Sequence, residues 1–265
     1  MVDKPTVLVT GCSRGLGWSL AKTLVDQGYS VLGGVRDEKD GKHLPDGVTA
    51  VPLDVTNMRE IESATNLIQQ QKNGLLALIN NAGIHASGPL EMVAPDTAKQ
   101  VFDVNFWGAL NMARAVLPIM RNQGHGHIIT VSSLSGLAAL PCDGIYAASK
   151  HAIEAAMESL SHEVGHWNIK VTTVQPGAFQ SDLIQAGDDS ETYDGYQHLR
   201  PSKEAGSSDL PTADDFACEI VSLLEKPTKD LQVPVGNQAK LIACKLKSFD
   251  QKQRHQFIQK ASGIS

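Results

Sequence analysis

The feature that most constrains the fold is a recurring short apolar run, rich in β-branched residues: "TVLVT" (6–10), "SVLGGV" (30–35), "VTAVPL" (48–53), "LLALIN" (75–80), "HIITVS" (127–132) and "KVTTVQ" (170–175). Near-continuous apolar strands of this length belong in a sheet covered on both faces. Segments with helical periodicity separate them, and strands alternating with helices build βαβ units and a parallel sheet. "LQVPVG" (231–236) is a candidate seventh strand. Right-handed, short connections then favour an α/β fold, a doubly wound parallel sheet of about seven strands with helices on both faces. Ligands of such sheets bind in a crevice at the carboxyl ends of the strands.

A chain of 265 residues is expected to form a single domain spanning 1–265. With 23 Lys+Arg against 29 Asp+Glu the net charge is −6, which offers no electrostatic reason to bind nucleic acid or an anionic membrane. A small-molecule partner is expected instead. Cys12, Cys142, Cys218 and Cys244 lie far apart with no CxxC spacing, so free thiols are expected rather than a disulfide framework or a zinc knuckle. The opening "MVDKPTVLVTG" has an apolar run too short for a signal peptide or a membrane span, consistent with a cytoplasmic location. The least regular stretch, 180–211, is polar and rich in Gly and Pro, and it follows a strand's carboxyl end. That position suits a substrate lid.

Between the first two strands, "TVLVTGCSRGLGWSLAKTLVDQG" reads as strand, glycine-rich turn and amphipathic helix ended by Gly28. Gly11, Gly15 and Gly17 let the backbone approach a pyrophosphate, whose charge the helix N-terminus would meet. The spacing is G-x-x-x-G-x-G rather than the G-x-G-x-x-G of most dinucleotide dehydrogenases. Further along, "GIYAASK" puts Tyr146 and Lys150 one helical turn apart on one face. A phenol titrates near pKa ~10, and a neighbouring cation favours its ionised form, which brings it nearer to working pH. Taken alone, such a pair is an ordinary helix start with a solvated lysine.

With "TGCSRGLG", "LDVT", "NNAG", "VNFWG", "VSSLSG", "YAASK" and "QPGAFQSDL" in this order, the chain resembles the short-chain dehydrogenase/reductase family over about residues 5–180. The branch it looks most like is the 17-beta-hydroxysteroid-dehydrogenase-like one, from Cys12 in the glycine turn, "GPLE" and "ARAVLPIMRNQGHGHIITVSSLSG". The resemblance implies a Rossmann-type sheet and a catalytic set of Asn105, Ser133, Tyr146 and Lys150. Tyr146 would be the general acid/base, Lys150 would also hold the nicotinamide ribose, Ser133 the substrate oxygen, and Asn105 a proton-relaying water. Cofactor contacts are implied at Gly11, Ser13, Arg14, Gly15, Leu16 and Gly17. Asp54 and Val55 would flank the adenine, and "NNAG", with Asn81, Ala82 and Gly83, would lie under the riboses. Pro176, Gly177, Phe179 and Ser181 would meet the nicotinamide, Ser181 replacing the family's threonine.

A ribose 2′-hydroxyl wants a carboxylate at the end of the second strand and a 2′-phosphate wants an arginine. Here Val35 ends that strand and Arg36 follows, with Arg14 within reach, which favours NADP(H). Asp37, 20 residues after Gly17, keeps NAD(H) open. The helix expected from about Ser149 to Gly165 has an apolar surface wider than one core stripe needs. With a helix near Asn105 to Arg121 it resembles the family's dimerising pair, implying a homodimer or homotetramer. "HEVGH" (162–166) matches a zinc pattern, but it lacks a third ligand and contains Gly165, so no metal is expected.

The leading expectation is an NADP-dependent oxidoreductase interconverting a secondary alcohol and a ketone. Leu140 and Cys142, with Leu183, Tyr193 and Tyr196 of the lid, suit a partly apolar pocket. One alternative is a 3-oxoacyl-thioester reductase, which would want a basic surface where "GDDSETYDG" is acidic. The other is a non-catalytic NAD(P)-sensing protein, which would not need all four catalytic residues.

Overall fold

A computed structural model describes residues 5–37, 39–180, 194–196, 198–199 and 210–262. Among them are seven strands: β1 (Thr6–Thr10), β2 (Ser30–Val35), β3 (Val48–Pro52), β4 (Leu75–Asn80), β5 (Gly126–Val131), β6 (Ile169–Pro176) and β7 (Gln232–Val235). They form one parallel sheet in the order β3-β2-β1-β4-β5-β6-β7. The chain winds outward from β1 through β2 and β3, then returns to the other side of β1 and winds outward again. The reversal between β1 and β4 opens a crevice at their carboxyl ends.

Both faces of the sheet are covered, as its uninterrupted apolar strands require. Every residue of β1 is buried, and its side chains alternate between two cores. Leu8 joins a cluster with α2 (Met58–Gln69), α4 (Ala109–Gln123) and α5 (Gly144–Val164), while Val7 and Val9 join one with α1 (Gly15–Asp26) and α6 (Ala213–Glu225). Two more helices, α7 (Asn237–Ser248) and α8 (Gln251–Ala261), close the described chain. Gly28, at φ 81°, follows α1 in the left-handed conformation that the sequence pattern anticipates there.

The helix expected to begin at Asn105 begins earlier. Helical backbone runs without a break from α3 (Pro95–Phe102) through a π-helical turn, Asp103–Gly108, into α4, and Asn105 lies inside that turn. Only Val101 of α3 is buried, so the segment leaves a weak apolar period to read. The helix bearing Tyr146 starts at Gly144, so "GIYAASK" opens it as expected. Most of its wide apolar surface is used inside the monomer: Ile153, Met157, Leu160 and Val164 are buried in the core, whereas Ala155 is exposed. The helix ends at Val164, so His162 and His166 of "HEVGH" belong to different elements and share no helical face. All four cysteines are unpaired. No helix among the described residues is long and apolar enough to cross a membrane.

One core residue makes the fold sensitive to acid. His127 on β5 is buried, shares a hydrogen bond of 2.9 Å with Thr172 Oγ1, and has its pKa pushed down to about 4 by burial, with Lys170 nearby adding to the effect. In the unfolded chain it takes up a proton near pH ~6.5. Between these values the unfolded state binds a proton that the folded state refuses, so acidification removes stability, by roughly 3 kcal/mol in all. Urea titrations between pH 7 and pH 4 should lose this much in the parent and markedly less in His127→Gln; parallel pH dependences would assign the loss elsewhere.

Candidate active site

The turn after β1 is built by close packing. Gly11 and Gly15 have φ of 71° and 58°, in the left-handed region. A Cβ on Gly17 would overlap the Gly11 carbonyl and the Asn81 amide. Asn81 Nδ2 donates to the carbonyls of Thr10 (2.9 Å) and Gly11 (3.0 Å), and the Thr10 hydroxyl accepts from the Asn81 and Ala82 amides at 3.0 Å each. The Asn81 side chain is therefore committed to bracing the turn. Arg14 is the N-cap of α1 but gives no side-chain cap, and the first turn of the helix has no acid. Its leading N–H groups and positive dipole end thus fit the pyrophosphate of a dinucleotide. Ser13 and Leu16 are half-buried beside them, and Arg14 is exposed.

Next to this turn lies a polar cleft of about 540 Å³ lined by Arg36, Asp37, Asp40 and Asp54. The strand β2 ends at Val35, so Arg36 and Asp37 occupy the register read from sequence. Asp54 accepts from the Thr56 amide and hydroxyl at 2.8 and 2.7 Å. The Val55 side chain is buried and packs on the π-helical turn, where a Cβ on Gly108 would come within 2.5 Å of it.

The other half of the crevice gathers the four catalytic candidates. Ser133 follows β5 in extended conformation, and its hydroxyl caps a short 3-10 turn (Leu134–Gly136) by accepting from the Ser135 amide at 3.1 Å. Tyr146, in the first turn of α5, is 6% exposed, and the Ser133 side chain is near enough to its phenol to act on its ionisation. Lys150 Nζ lies 5.5 Å from the centre of the Tyr146 ring and donates to the Val131 carbonyl at 2.8 Å. Asn105 Oδ1 accepts from the Ile84 amide at 2.8 Å, and its Nδ2 donates to Ile84 O (2.9 Å) and Ser149 Oγ (3.1 Å). Gly83 sits between these groups: a Cβ there would lie 3.4 Å from Asn105 Oδ1 and 3.6 Å from Lys150 Nζ.

The electrostatics differ from the simplest expectation. Burial pushes the Tyr146 phenol well above its ordinary value; the Ser133 side chain opposes this and the Asp143 charge adds to it. Burial also pushes Lys150 down to about 8, with Glu154 pulling the other way. Both groups have lost water, so the cation does not outweigh desolvation and the phenol stays protonated at neutral pH.

Beyond β6, the Gly177 amide donates to Val235 O at 3.2 Å. Phe179 is 2% exposed, with its ring 5.5 Å edge-on from Phe216, so it anchors the segment after Pro176 in the core. Ser181, Leu183 and Tyr193 lie outside the described residues. Of the stretch 180–211, Tyr196 donates from its hydroxyl to Glu91 Oε1 at 2.9 Å. Leu90, Leu140, Pro141, Cys142 and Tyr196 help line a cleft of about 510 Å³ with mainly apolar walls.

Sequence reasoning passed over a polar chain on this side. His85 meets the Tyr146 ring at 4.7 Å between centroids, and its Nε2 is 2.6 Å from Asp143 Oδ1, while Asp143 Oδ2 accepts from Ser135 Oγ at 2.6 Å. Their positions, two residues after Gly83 and three before Tyr146, were the available signal.

A doubly wound sheet with a glycine turn at its switch point is the Rossmann-like architecture of dinucleotide-binding folds. The chain belongs to the short-chain dehydrogenase family, whose model, described as short chain dehydrogenase, matches residues 5–192. It is 34% identical over 249 residues to retinol dehydrogenase 8 of Bos taurus, covering 84% of this chain and 79% of that one. It is 38% identical over 187 residues to the 3-ketodihydrosphingosine reductase of Bacteroides thetaiotaomicron, covering 70% and 68%. A short chain dehydrogenase of Burkholderia cenocepacia solved in complex with NADP superposes with a TM-score of 0.79 at 26% identity, covering 97% of this chain and 98% of that one.

Because Gly17 has no room for a methyl group, Gly17→Ala should cost about 2 kcal/mol, which for a chain of this size lowers Tm by roughly 4–8 °C, and should weaken dinucleotide binding at least tenfold. Unchanged melting and binding would mean that the turn yields at little cost.

Proposed function

We propose that the protein is an NADP(H)-dependent oxidoreductase that interconverts a secondary alcohol and a ketone, with Tyr146 as general acid/base. The observation that carries this is the meeting of Gly83, Asn105, Ser133 and the α5 pair Tyr146 and Lys150 at the carboxyl ends of β4 and β5. A bound nicotinamide would supply or accept the hydride at the substrate carbon. Ser133 holds the substrate oxygen, and Tyr146 passes its proton to that oxygen in reduction or removes it in oxidation. A phenol kept protonated by burial suits donation. The phenolate left behind is stabilised by the charge on Lys150, 5.5 Å from the ring centre. Asn105, bonded to Ile84 and Ser149, ties the loop after β4 to α5, in keeping with a relay role beside Lys150.

Arg36, immediately beyond β2, supports a preference for the 2′-phosphate, and the Burkholderia neighbour was solved with NADP. Asp37 and Asp40 in the same cleft leave NAD(H) as a second cofactor. The apolar walls formed by Leu90, Leu140 and Pro141 suit a carbonyl compound with an apolar body, in line with the 17-beta-hydroxysteroid-dehydrogenase-like branch. A cytoplasmic homodimer or homotetramer is part of the same proposal; Trp107, 46% exposed in the turn that leads into α4, supports a covered surface there.

Steady NADPH consumption is expected with a subset of a ketone panel. Tyr146→Phe should reduce kcat by about 10²–10⁴-fold while the Kd for NADPH changes less than threefold; activity within tenfold of the parent would show that another group moves the proton. Arg36→Ala should narrow the NADPH-over-NADH ratio of kcat/KM by about tenfold, the scale of one charge-assisted hydrogen bond, and an unchanged ratio would remove Arg36 from cofactor choice.

A further inference from the structure

One turn beyond Lys150, α5 carries a carboxylate into the core. Glu154 is 5% exposed. Burying an ionised carboxylate costs several kcal/mol unless donors replace its water, and here three side chains do so. Ser132 Oγ donates to Oε1 at 2.5 Å, Gln175 Nε2 to Oε1 and Oε2 at 3.0 and 2.8 Å, and Gln232 Nε2 to Oε2 at 3.0 Å. Ser132 follows β5, Gln175 lies on β6 and Gln232 on β7, so one carboxylate joins the ends of three adjacent strands to the helix that bears Tyr146 and Lys150.

The same group supports the residues that flank the site. Ser132 directly precedes Ser133, and Gln175 directly precedes Pro176. A Cβ on Gly136 would collide with Glu154 Oε1 and the Ser132 hydroxyl, so the turn capped by Ser133 rests on the carboxylate. From α5 itself, Lys150 and His151 lie close enough for their charges to act on Glu154. Lys150 Nζ donates to Val131 O, and no direct ion pair joins it to Glu154 among the described residues, so their attraction acts through space.

Building on the roles proposed above for Tyr146 and Lys150, we infer that Glu154 is a positioning residue: it holds α5 and the Ser133 turn in register and provides the negative field that keeps Lys150 charged. A purely structural clamp would leave the ionisation of Lys150 unchanged, which separates the two parts of the role. Burial already brings Lys150 down to about 8, and Glu154 opposes that fall. Removing the negative charge therefore lowers the pH at which Lys150 discharges.

The test is the pH dependence of kcat for NADPH-linked ketone reduction. The parent should lose activity as pH rises through about 8, where Lys150 discharges. In Glu154→Gln, which keeps the shape and one acceptor oxygen, this alkaline limb should move at least half a pH unit lower, which by itself lowers kcat at pH 7.5 by about 1.5-fold or more. A limb that coincides with the parent's overturns the inference, whatever the change in kcat or Tm. If Glu154→Gln does not fold, Glu154→Met removes the same charge with an apolar side chain of similar size and should shift the limb the same way; coincidence there overturns the inference equally. Tyr146→Phe separates the two levels. If that variant is inactive and the limb does not move, only the role of Glu154 falls; if it stays within tenfold of the parent, or the parent has no alkaline limb, the proposed chemistry falls with it.

Discussion

The structure depends on the clamp between the ends of β1 and β4. Thr10 and Asn81 exchange hydrogen bonds in both directions: the Thr10 hydroxyl takes two backbone N–H groups, and the Asn81 amide takes two carbonyls. These two strands flank the point where sheet order reverses, so the loops leaving them would otherwise splay. Each bond contributes about 1 kcal/mol net, but leaving any of these buried groups unpaired would cost more. The clamp also explains why Gly11 and Gly17 accept no side chain, since the space a methyl group would need is filled by Ala82, Asn81 and the turn itself. The glycine turn proposed to cradle the cofactor and the loop after β4 are thereby fixed to one another before any ligand arrives.

The second theme is dryness. Tyr146, Lys150 and Glu154 are each at most 6% exposed, along one face of a single helix. Water withdrawn from all three moves each toward its neutral form, raising the phenol and the carboxyl and lowering the ammonium. What remains of their charge is held by fixed donors and acceptors: Ser133 for the phenol, Val131 O for the ammonium, and Ser132, Gln175 and Gln232 for the carboxylate. Groups held in this way need little rearrangement when charge develops on a substrate oxygen.

The sheet was legible because its strands are buried on both faces and written as uninterrupted apolar runs; all seven runs contain strands. The glycine turn and the Tyr146–Lys150 pair were legible because their spacing is local. Asn105 was singled out by resemblance, but its π-helical setting was not, since nothing in "DVNFWG" departs from helical spacing. His85, Asp143 and Glu154 stayed hidden for a common reason. Each is an ordinary polar residue whose partner is 58, 8 or between 21 and 78 positions away, and only tertiary structure pairs them. The sign of the Tyr146 shift was misjudged because sequence gives the cation next door but not the depth at which both groups lie.

Cys142 adopts φ 64°, a conformation that a residue with a side chain enters only at a cost. Its carbonyl accepts the Gly88 amide at 2.8 Å and the Ser87 hydroxyl at 3.4 Å, which fastens the segment leading into Tyr146 to the segment leaving Gly83. The two walls of the apolar cleft are thus hinged at one backbone joint, and its aperture belongs to neither wall alone. Remodelling one lip for a bulkier guest would drag the opposite lip along, and with it the tilt of the first turn of α5.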